Sequence, residues 1–396
     1  MEENMEQVRY GIIGLGNQGT FYLKKLATPG VVSGAVVTAL CDINPARIEA
    51  ARALVDFELA AFTDYKEMIA SGLVDAILVE TPHFLHPEIS IYGLTHGVHV
   101  LCDKPAGVYT KQVKEMNEVA NRSDRLFGLM FNQRTNCMYR KMREMILGGE
   151  IGEVKRINWI ITTWFRSAAY YNSSSWRATW RGEGGGVLLN QCPHQLDLIQ
   201  WVVGMMPKRI HAFCRFGQWH DIEVEDDVTA YLEYENGATG VFVTTTGEGG
   251  GTNRLEVVGN CGKLVAENSK LTLTKLAMGI KEYSETTDKA FGEPEKTVIE
   301  VETDGINEQH VGIFKNFTNA VLGKEKLFVF GQDGIDGVQI MDAMLLSAFL
   351  GRAVELPIDD ELYLRELNKR IATGHIKVVE EKIADTEGSF GTASNK

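Results

Sequence analysis

The sequence has no run of basic residues, and no stripe of interleaved basic and aromatic side chains, to set against a formal net charge of −13. An acidic surface repels nucleic acid and anionic membranes, so neither is an expected partner. None of the six cysteines (Cys41, Cys102, Cys137, Cys192, Cys214 and Cys261) forms a C-x-x-C pair, and their spacings fit no zinc motif. Most read as strand or core positions, where a reduced thiol acts as a small hydrophobe. No metal site is expected. The opening MEENMEQVRY lacks the positive start and apolar core of a secretory signal, and no apolar run reaches the length of a membrane span. The expectation is a cytoplasmic protein.

What is present is ordinary globular material, 44% apolar and 23% charged. At 396 residues the chain exceeds the size, roughly 250–300 residues, at which single cores stop growing, so two domains are expected. Val8–Ile13, Val36–Cys41, Asp75–Val79 and Val98–Cys102 read as buried strands separated by helical patterns. That alternation implies βαβ units, right-handed crossovers and a doubly wound parallel sheet. This Rossmann-type α/β domain is expected over residues 1–130. Beyond it, Lys155–Trp164, Asp227–Glu235, Gly240–Thr246, Leu255–Gly259 and Lys263–Val265 read as strands, with Asn236-Gly237 as a hairpin turn. They imply an α+β domain over residues 131–396, with a large, mostly antiparallel open sheet and helices on one face. A helix is expected over Val187–Val203, an irregular excursion over residues 276–304, helices at Val311–Leu322 and Gly334–Gly351, and a loose tail after Asp385.

The first strand runs into Gly14-Leu15-Gly16-Asn17-Gln18-Gly19 and then a helix. A G-x-G-x-x-G is weak evidence alone, but strand–turn–helix is the context that gives it meaning. Gly14 permits the tight turn, Gly16 lets backbone approach a pyrophosphate, and Gly19 lets helix and strand pack closely. The helix N-terminus, with Asn17 and Gln18, offers N–H groups and a positive dipole end to phosphates. Asp42 ends the second strand, about 20 residues on, where a carboxylate accepts from ribose hydroxyls and repels a 2′-phosphate. NAD is therefore expected over NADP, with Arg47 downstream able to soften the rule. After the next strand comes Glu80-Thr81-Pro82-His83-Phe84-Leu85-His86-Pro87. Thr81, His83 and His86 are candidate cofactor contacts. The same residues also read as a helix start, with Thr81 or His83 as cap and Pro87 in the first turn.

Two clusters carry the chemistry. Asp103-Lys104-Pro105 follows a buried strand, where a lysine can lose pKa by burial and move a proton. Taken singly, a solvated strand-end lysine is the commoner outcome. Gly184–Asp197 joins three glycines to a pattern that, as a helix, puts Asn190, His194 and Asp197 on one face. His194 suits acid/base work near neutral pH, although a lone histidine on a helix is more often structural. Pro193 marks a first turn or a kink.

Taken together, GLGNQG, ALCDIN, ETPHFLHPE, VLCDKPAG, FNQR, WRATWRGEGGGVLLNQCPHQLD and SAFLGRAVELP resemble the glucose-fructose oxidoreductase, inositol dehydrogenase and rhizopine-catabolism family over nearly the whole chain. The resemblance implies that Lys104 stands where the family's E-K-P lysine stands, with Asp103 beside it. His194 takes the place of the catalytic histidine. Asn190 departs from the usual D-x-x-x-H aspartate: an amide can orient a hydroxyl but cannot take its proton. Asn132 would lie near the nicotinamide ribose, and Arg177, in preference to Arg181, would contact the cofactor domain. The implied reaction is hydride transfer to NAD from a secondary hydroxyl of a sugar, glycoside or cyclitol. Lys104 and His194 form the acid/base pair, and Tyr171, Trp176 and Gln191, with Tyr170, Asn172 and Arg166 as further candidates, hold the substrate. Alternatives left open are a redox-neutral enzyme that oxidises a glycoside transiently, and a non-catalytic NAD/sugar sensor. A homodimer or homotetramer is implied through the open sheet face.

Overall fold

The computed structural model describes residues 6–375 and 377–379. The expected loose tail after Asp385 lies outside the described residues. Six strands form the first sheet: β1 Val8–Ile13, β2 Ala35–Cys41, β3 Ala60–Phe62, β4 Ala76–Val79, β5 His99–Cys102 and β6 Phe127–Leu129. Their order is β3-β2-β1-β4-β5-β6, and every pairing is parallel. β4 and β5 are buried at each residue because helices cover both faces, which is why they read as unbroken apolar runs.

The second sheet has nine strands: β7 Val154–Ile161, β8 Arg209–Phe216, β9 Glu225–Glu233, β10 Thr239–Thr245, β11 Asn253–Gly259, β12 Gly262–Glu267, β13 Lys270–Leu276, β14 Lys296–Glu300 and β15 Val354–Glu355. Their order is β14-β13-β12-β11-β7-β10-β9-β8-β15. All neighbours are antiparallel except β10 on β7. The inward residues of β7 (Ile157, Trp159, Ile161) are fully buried. The hairpin at Asn236-Gly237 joins β9 to β10 as its turn residues dictate, with Gly237 at φ 84°.

Two expectations change. The excursion over residues 276–304 contains a helix, Ile280–Thr286, and a strand, β14, that extends the sheet beyond β13. β14 is an edge strand exposed at all five residues, so no burial period marks it in the sequence. The helix expected over Val187–Val203 is two pieces, Val187–Asn190 and Pro193–Trp201. Pro193 has no N–H to continue the first piece and instead starts the second, where its fixed φ fits.

Helices from the end of the chain pack back on the first sheet. On helix Gln309–Val321, the Thr318 hydroxyl meets that of Tyr10 on β1 at 2.8 Å. On helix Gly334–Leu350, Asp342 accepts from the Thr110 N–H and hydroxyl at 2.8 and 2.9 Å, while Ser347 accepts from Ala212 N on β8 at 2.9 Å. This helix therefore bonds to the cofactor-side fold and to the second sheet at once. A charged joint lies between them. Arg134, just after β6, donates to both oxygens of Asp197 at 2.8 and 2.6 Å and to Asp333 at 2.6 Å. The Arg134 and Asp197 side chains are 3% and 1% exposed. Removing one partner of such a pair leaves the other charge buried alone. Arg134→Ala should lower unfolding free energy by about 3–5 kcal/mol in a urea titration, far more than the loss of an exposed ion pair would.

Candidate functional site

The glycine turn has the geometry its residues demand. Gly14 sits at φ 95°, and a Cβ there would lie 2.5 Å from the Glu80 carbonyl oxygen. A Cβ on Gly19 would lie 1.9 Å from the Gly14 carbonyl oxygen, so helix and strand meet here backbone to backbone. Gly16 is different: a Cβ would meet nothing within 4 Å. The turn is packed beneath and open above. Helix Asn17–Ala27 starts at this opening without a side-chain cap, so its dipole end faces the open space. The Gln18 side chain bonds the Tyr22 hydroxyl, which also meets Asp103 at 3.3 Å. Asp42 accepts from Leu15 N and Asn44 N, both at 2.8 Å, with the Arg47 guanidinium 4.0 Å away. Its carboxylate thus clamps the glycine turn from the end of β2.

Six polar atoms near the carboxyl ends of β4, β5 and β6 and in the facing second-domain segments are buried without a partner: Glu80 Oε2, Thr81 Oγ1, His83 Nδ1, Asn132 Oδ1, Arg177 Nε and His194 Nδ1. Buried polar groups are nearly always bonded, so such a cluster marks a place for a ligand with many hydrogen-bonding groups. With the open approach at Gly16, the residues fit a dinucleotide. Neither Thr81 nor His83 caps a helix, contrary to that expectation. A 3₁₀ turn opens at Pro82 and helix His86–Thr95 follows, both without side-chain caps. The Thr81 hydroxyl is left over as a result. His86 places its two ring nitrogens 2.8 Å from the carbonyl oxygens of Thr81 and Pro105 and donates through the one that carries the hydrogen. It buttresses the loop that carries Lys104 and has no nitrogen left for a cofactor.

Asn132 donates to Gln309 at 2.6 Å, which turns its own carbonyl oxygen away and leaves it unpaired. Gln309 holds the left-handed conformation, φ 53°, at a cost of about 1–3 kcal/mol. The next residue, His310, packs its ring on Phe21 and Tyr22 of the first helix. Burial, then the Lys104 and Lys25 charges, push the His310 imidazole down to about 4. Sequence reasoning missed Gln309 and His310, because nothing local ties them to a motif about 180 residues earlier.

Lys104 Nζ donates to the Asn190 main-chain oxygen at 2.8 Å. Burial pulls its pKa below 10.5. Asp103 and Glu183 oppose the shift, while Arg177 and Arg166 add to it. His194 lies within reach of the Lys104 charge. Burial first, then Lys104 and His310, hold its imidazole well below 6.5, so it is neutral. Its ring lies 6.2 Å from that of Phe131. His194 and Asp197 keep a shared helical face at i, i+3, where Asp197 is taken by Arg134, while the break before Pro193 separates Asn190 from their helix.

The tyrosines divide their roles. Tyr171 is 6% exposed and spends its hydroxyl on Thr246 at 2.8 Å. The hydroxyl that meets the site is that of Tyr170, which receives Arg177 at 2.7 Å and Gln191 at 3.0 Å and lies 3.4 Å from Asn190 Oδ1. Arg177 stacks over the rings of Tyr170 and Trp176, at 4.5 and 4.7 Å from their centroids. Trp176 also meets His83 edge-on at 5.7 Å. Arg166 lies over Tyr170, while Arg181 and Asn172 are exposed. Glu183, also missed, is a buried acid beside Asn190. Its position just before Gly184–Gly186 was the available signal.

The two glycine environments separate by experiment. Gly16→Ala should leave the melting temperature unchanged yet weaken NADH binding at least about tenfold in a fluorescence titration, since a methyl there fills the approach to the pyrophosphate. Gly19→Ala should instead lower the melting temperature, because its Cβ would collide with backbone.

Residues 8–131 match the model of the oxidoreductase family with an NAD-binding Rossmann fold, and residues 139–265 match the GFO/IDH/MocA C-terminal domain. The chain is 26% identical over 276 residues to a myo-inositol 2-dehydrogenase of Thermotoga maritima, covering 68% of this chain and 78% of that protein. It is 25% identical over 338 residues to a D-glucoside 3-dehydrogenase of Escherichia coli K12, covering 81% and 90%. The solved structure of the WlbA dehydrogenase of Bordetella pertussis, in complex with NADH and UDP-GlcNAcA, superposes with a TM-score of 0.74 at 23% identity, covering 89% of this chain and all of that one, and shows the shared fold. The chain belongs to the GFO/IDH/MocA family of NAD(P)-dependent oxidoreductases acting on CH–OH groups.

Proposed function

We propose that this protein is an NAD-dependent dehydrogenase that oxidises a secondary hydroxyl of a sugar, glycoside or cyclitol. The observation that carries the reading is a buried lysine of lowered pKa whose charge reaches a neutral histidine with an unpartnered Nδ1, in a chain whose glycine turn is open at Gly16. The names of the relatives, which include an inositol dehydrogenase and a glucoside dehydrogenase, support the substrate class.

NAD, when bound, supplies the hydride acceptor. Gly14, Gly16, Gly19 and the amides of Asn17 and Gln18 hold its pyrophosphate, and Asp42 its adenine ribose. Thr81, His83, Asn132 and Arg177 meet the remaining polar edges, with Asp103 behind Lys104. Lys104 in its neutral form takes the hydroxyl proton. Burial lowers the cost of that neutral form, while the His194 imidazole is held well below its usual range. His194 hydrogen-bonds the same hydroxyl and orients it. Tyr170, Trp176 and Gln191 offer an aromatic wall and polar partners to the remaining hydroxyls. Tyr171 acts one step removed, by packing against Tyr170 at 5.2 Å between ring centroids. Asp42 supports NAD over NADP because a 2′-phosphate would face a carboxylate already 6% exposed. Six unpaired cysteines suit a reducing cytoplasm. Pairing of copies through the outer sheet face, where Phe213 and Tyr231 are exposed, suits a homodimer or homotetramer.

Lys104→Ala and His194→Ala, assayed separately for polyol-dependent NADH formation, should each lose about 100-fold or more in kcat/KM. Survival of activity in both variants would remove the reading. The sign of the pH dependence follows from the lysine. Oxidation needs the neutral amine, so the rate should rise with pH and level off below 10.5, with no further inflection near 6.5 because His194 stays neutral there. Asp42→Ala should narrow the ratio of kcat/KM for NAD over NADP at least about tenfold, with polyol held constant.

A further inference from the structure

Asn190 uses all four of its polar groups, the N–H on the Gly186 carbonyl oxygen at 3.0 Å. Its main-chain oxygen accepts from Lys104 Nζ, its Nδ2 donates to the Glu183 carboxylate, and its Oδ1 faces the Tyr170 hydroxyl. Glu183 is 3% exposed, and its second oxygen accepts the Ala178 N–H at 2.5 Å. Ala178 is held in the left-handed region, φ 54°, and the Glu183 and Gly184 N–H groups both return to Thr179 O. The loop is therefore wound tightly around this one acid. An ionised carboxyl only accepts hydrogen bonds, so an amide beside it must present nitrogen. That leaves the Asn190 oxygen, an acceptor, on the side of Tyr170 and the proposed substrate.

We propose that Glu183 is a positioning residue of the reaction: it locks the Asn190 amide with its oxygen toward the substrate, and it supplies the buried negative charge that holds Lys104 in place. The inference rests on the dehydrogenase reading above and names a residue that the reading does not use. It also gives a reason for asparagine at position 190. An acid there would touch a second buried carboxyl, and two carboxyls in contact cannot both ionise without large cost. Glu183 is faced by Arg177, Lys104, Lys377 and Glu225. Lys104 is faced by Asp103, Arg177 and Arg166 as well as Glu183, and its charge reaches Glu80, Cys192, His83, His86, His194 and His310. Of these, Glu183→Gln alters only Glu183. Because Glu183 raises the Lys104 pKa, its loss should move that pKa down.

The test uses the full-length protein with Glu183→Gln, Asn190→Asp and the exchange Glu183→Gln/Asn190→Asp, each first shown to melt cooperatively and to bind NADH. Glu183→Gln should lower kcat about tenfold with little change in KM for NAD, and should move the rising limb of the pH–rate profile toward lower pH. Asn190→Asp, with two carboxyls in contact, should lose more. The exchange restores one carboxyl and one amide and should recover to within about threefold of the parent. A readout without turnover is amine labelling of Lys104 against pH, followed by mass spectrometry, in which Glu183→Gln should shift labelling to lower pH. An unmoved labelling curve in Glu183→Gln would overturn the inference, as would an exchange variant no better than the worse single one. If the parent oxidises no sugar, glycoside or cyclitol, the dehydrogenase reading fails, and the labelling curve still decides the electrostatic coupling of Lys104 to Glu183.

Discussion

The site depends on the bidentate pair between Arg134 and Asp197. Arg134 lies two residues after Asn132, and Asp197 lies three residues after His194. The pair therefore ties the end of the parallel sheet to the helix that delivers the imidazole. Asp333 on the third side brings in the start of helix Gly334–Leu350, which bonds to both Thr110 and Ala212. A flexible tether would not hold a lysine from one fold and a histidine from the other within electrostatic reach. Two parallel N–H···O bonds in a dry site do so, because their geometry allows a single orientation. Their net contribution to stability against a hydrophobic alternative is small, and their contribution to position is large.

Beyond that joint, buried cations, acids and imidazoles share one space. Lys104, Arg177 and Arg166 face one another, and the neutral imidazoles of His83, His194 and His310 line the same space. Water has been largely removed, so each positive charge depresses the next ionisation. A lysine in this setting gives up its proton more readily than in solvent. Asp103 and Glu183 keep the effect within bounds by favouring the ammonium form.

Much of the cofactor half is local and was open to sequence reading. Gly14, Gly16 and Gly19 each do what a glycine at that place in a strand–turn–helix must do, and Asp42 lies at the strand end where the spacing puts it. Lys104 and His194 were each ambiguous alone, and it was the resemblance to the family's E-K-P lysine and catalytic histidine that singled them out. Most of the errors share one cause, a partner distant in sequence. Asp197 shares a helical face with His194, but its carboxylate is committed to Arg134. His86 reads as a ligand contact but is consumed by two carbonyls. Tyr170 and Tyr171 are indistinguishable as neighbours until Thr246 claims one hydroxyl. β14 has no buried residue to show a period.

The sequence by itself determined the parallel sheet, the dinucleotide turn and the residue types available for proton transfer, because these follow from short-range periodicity and backbone sterics. Only the tertiary structure decided which polar atoms stay unpaired, which tyrosine faces the site, and that Gln309, His310 and Glu183 join it. Those outcomes depend on which distant groups meet in a space without water, where each buried donor must find an acceptor and each charge a counter-charge.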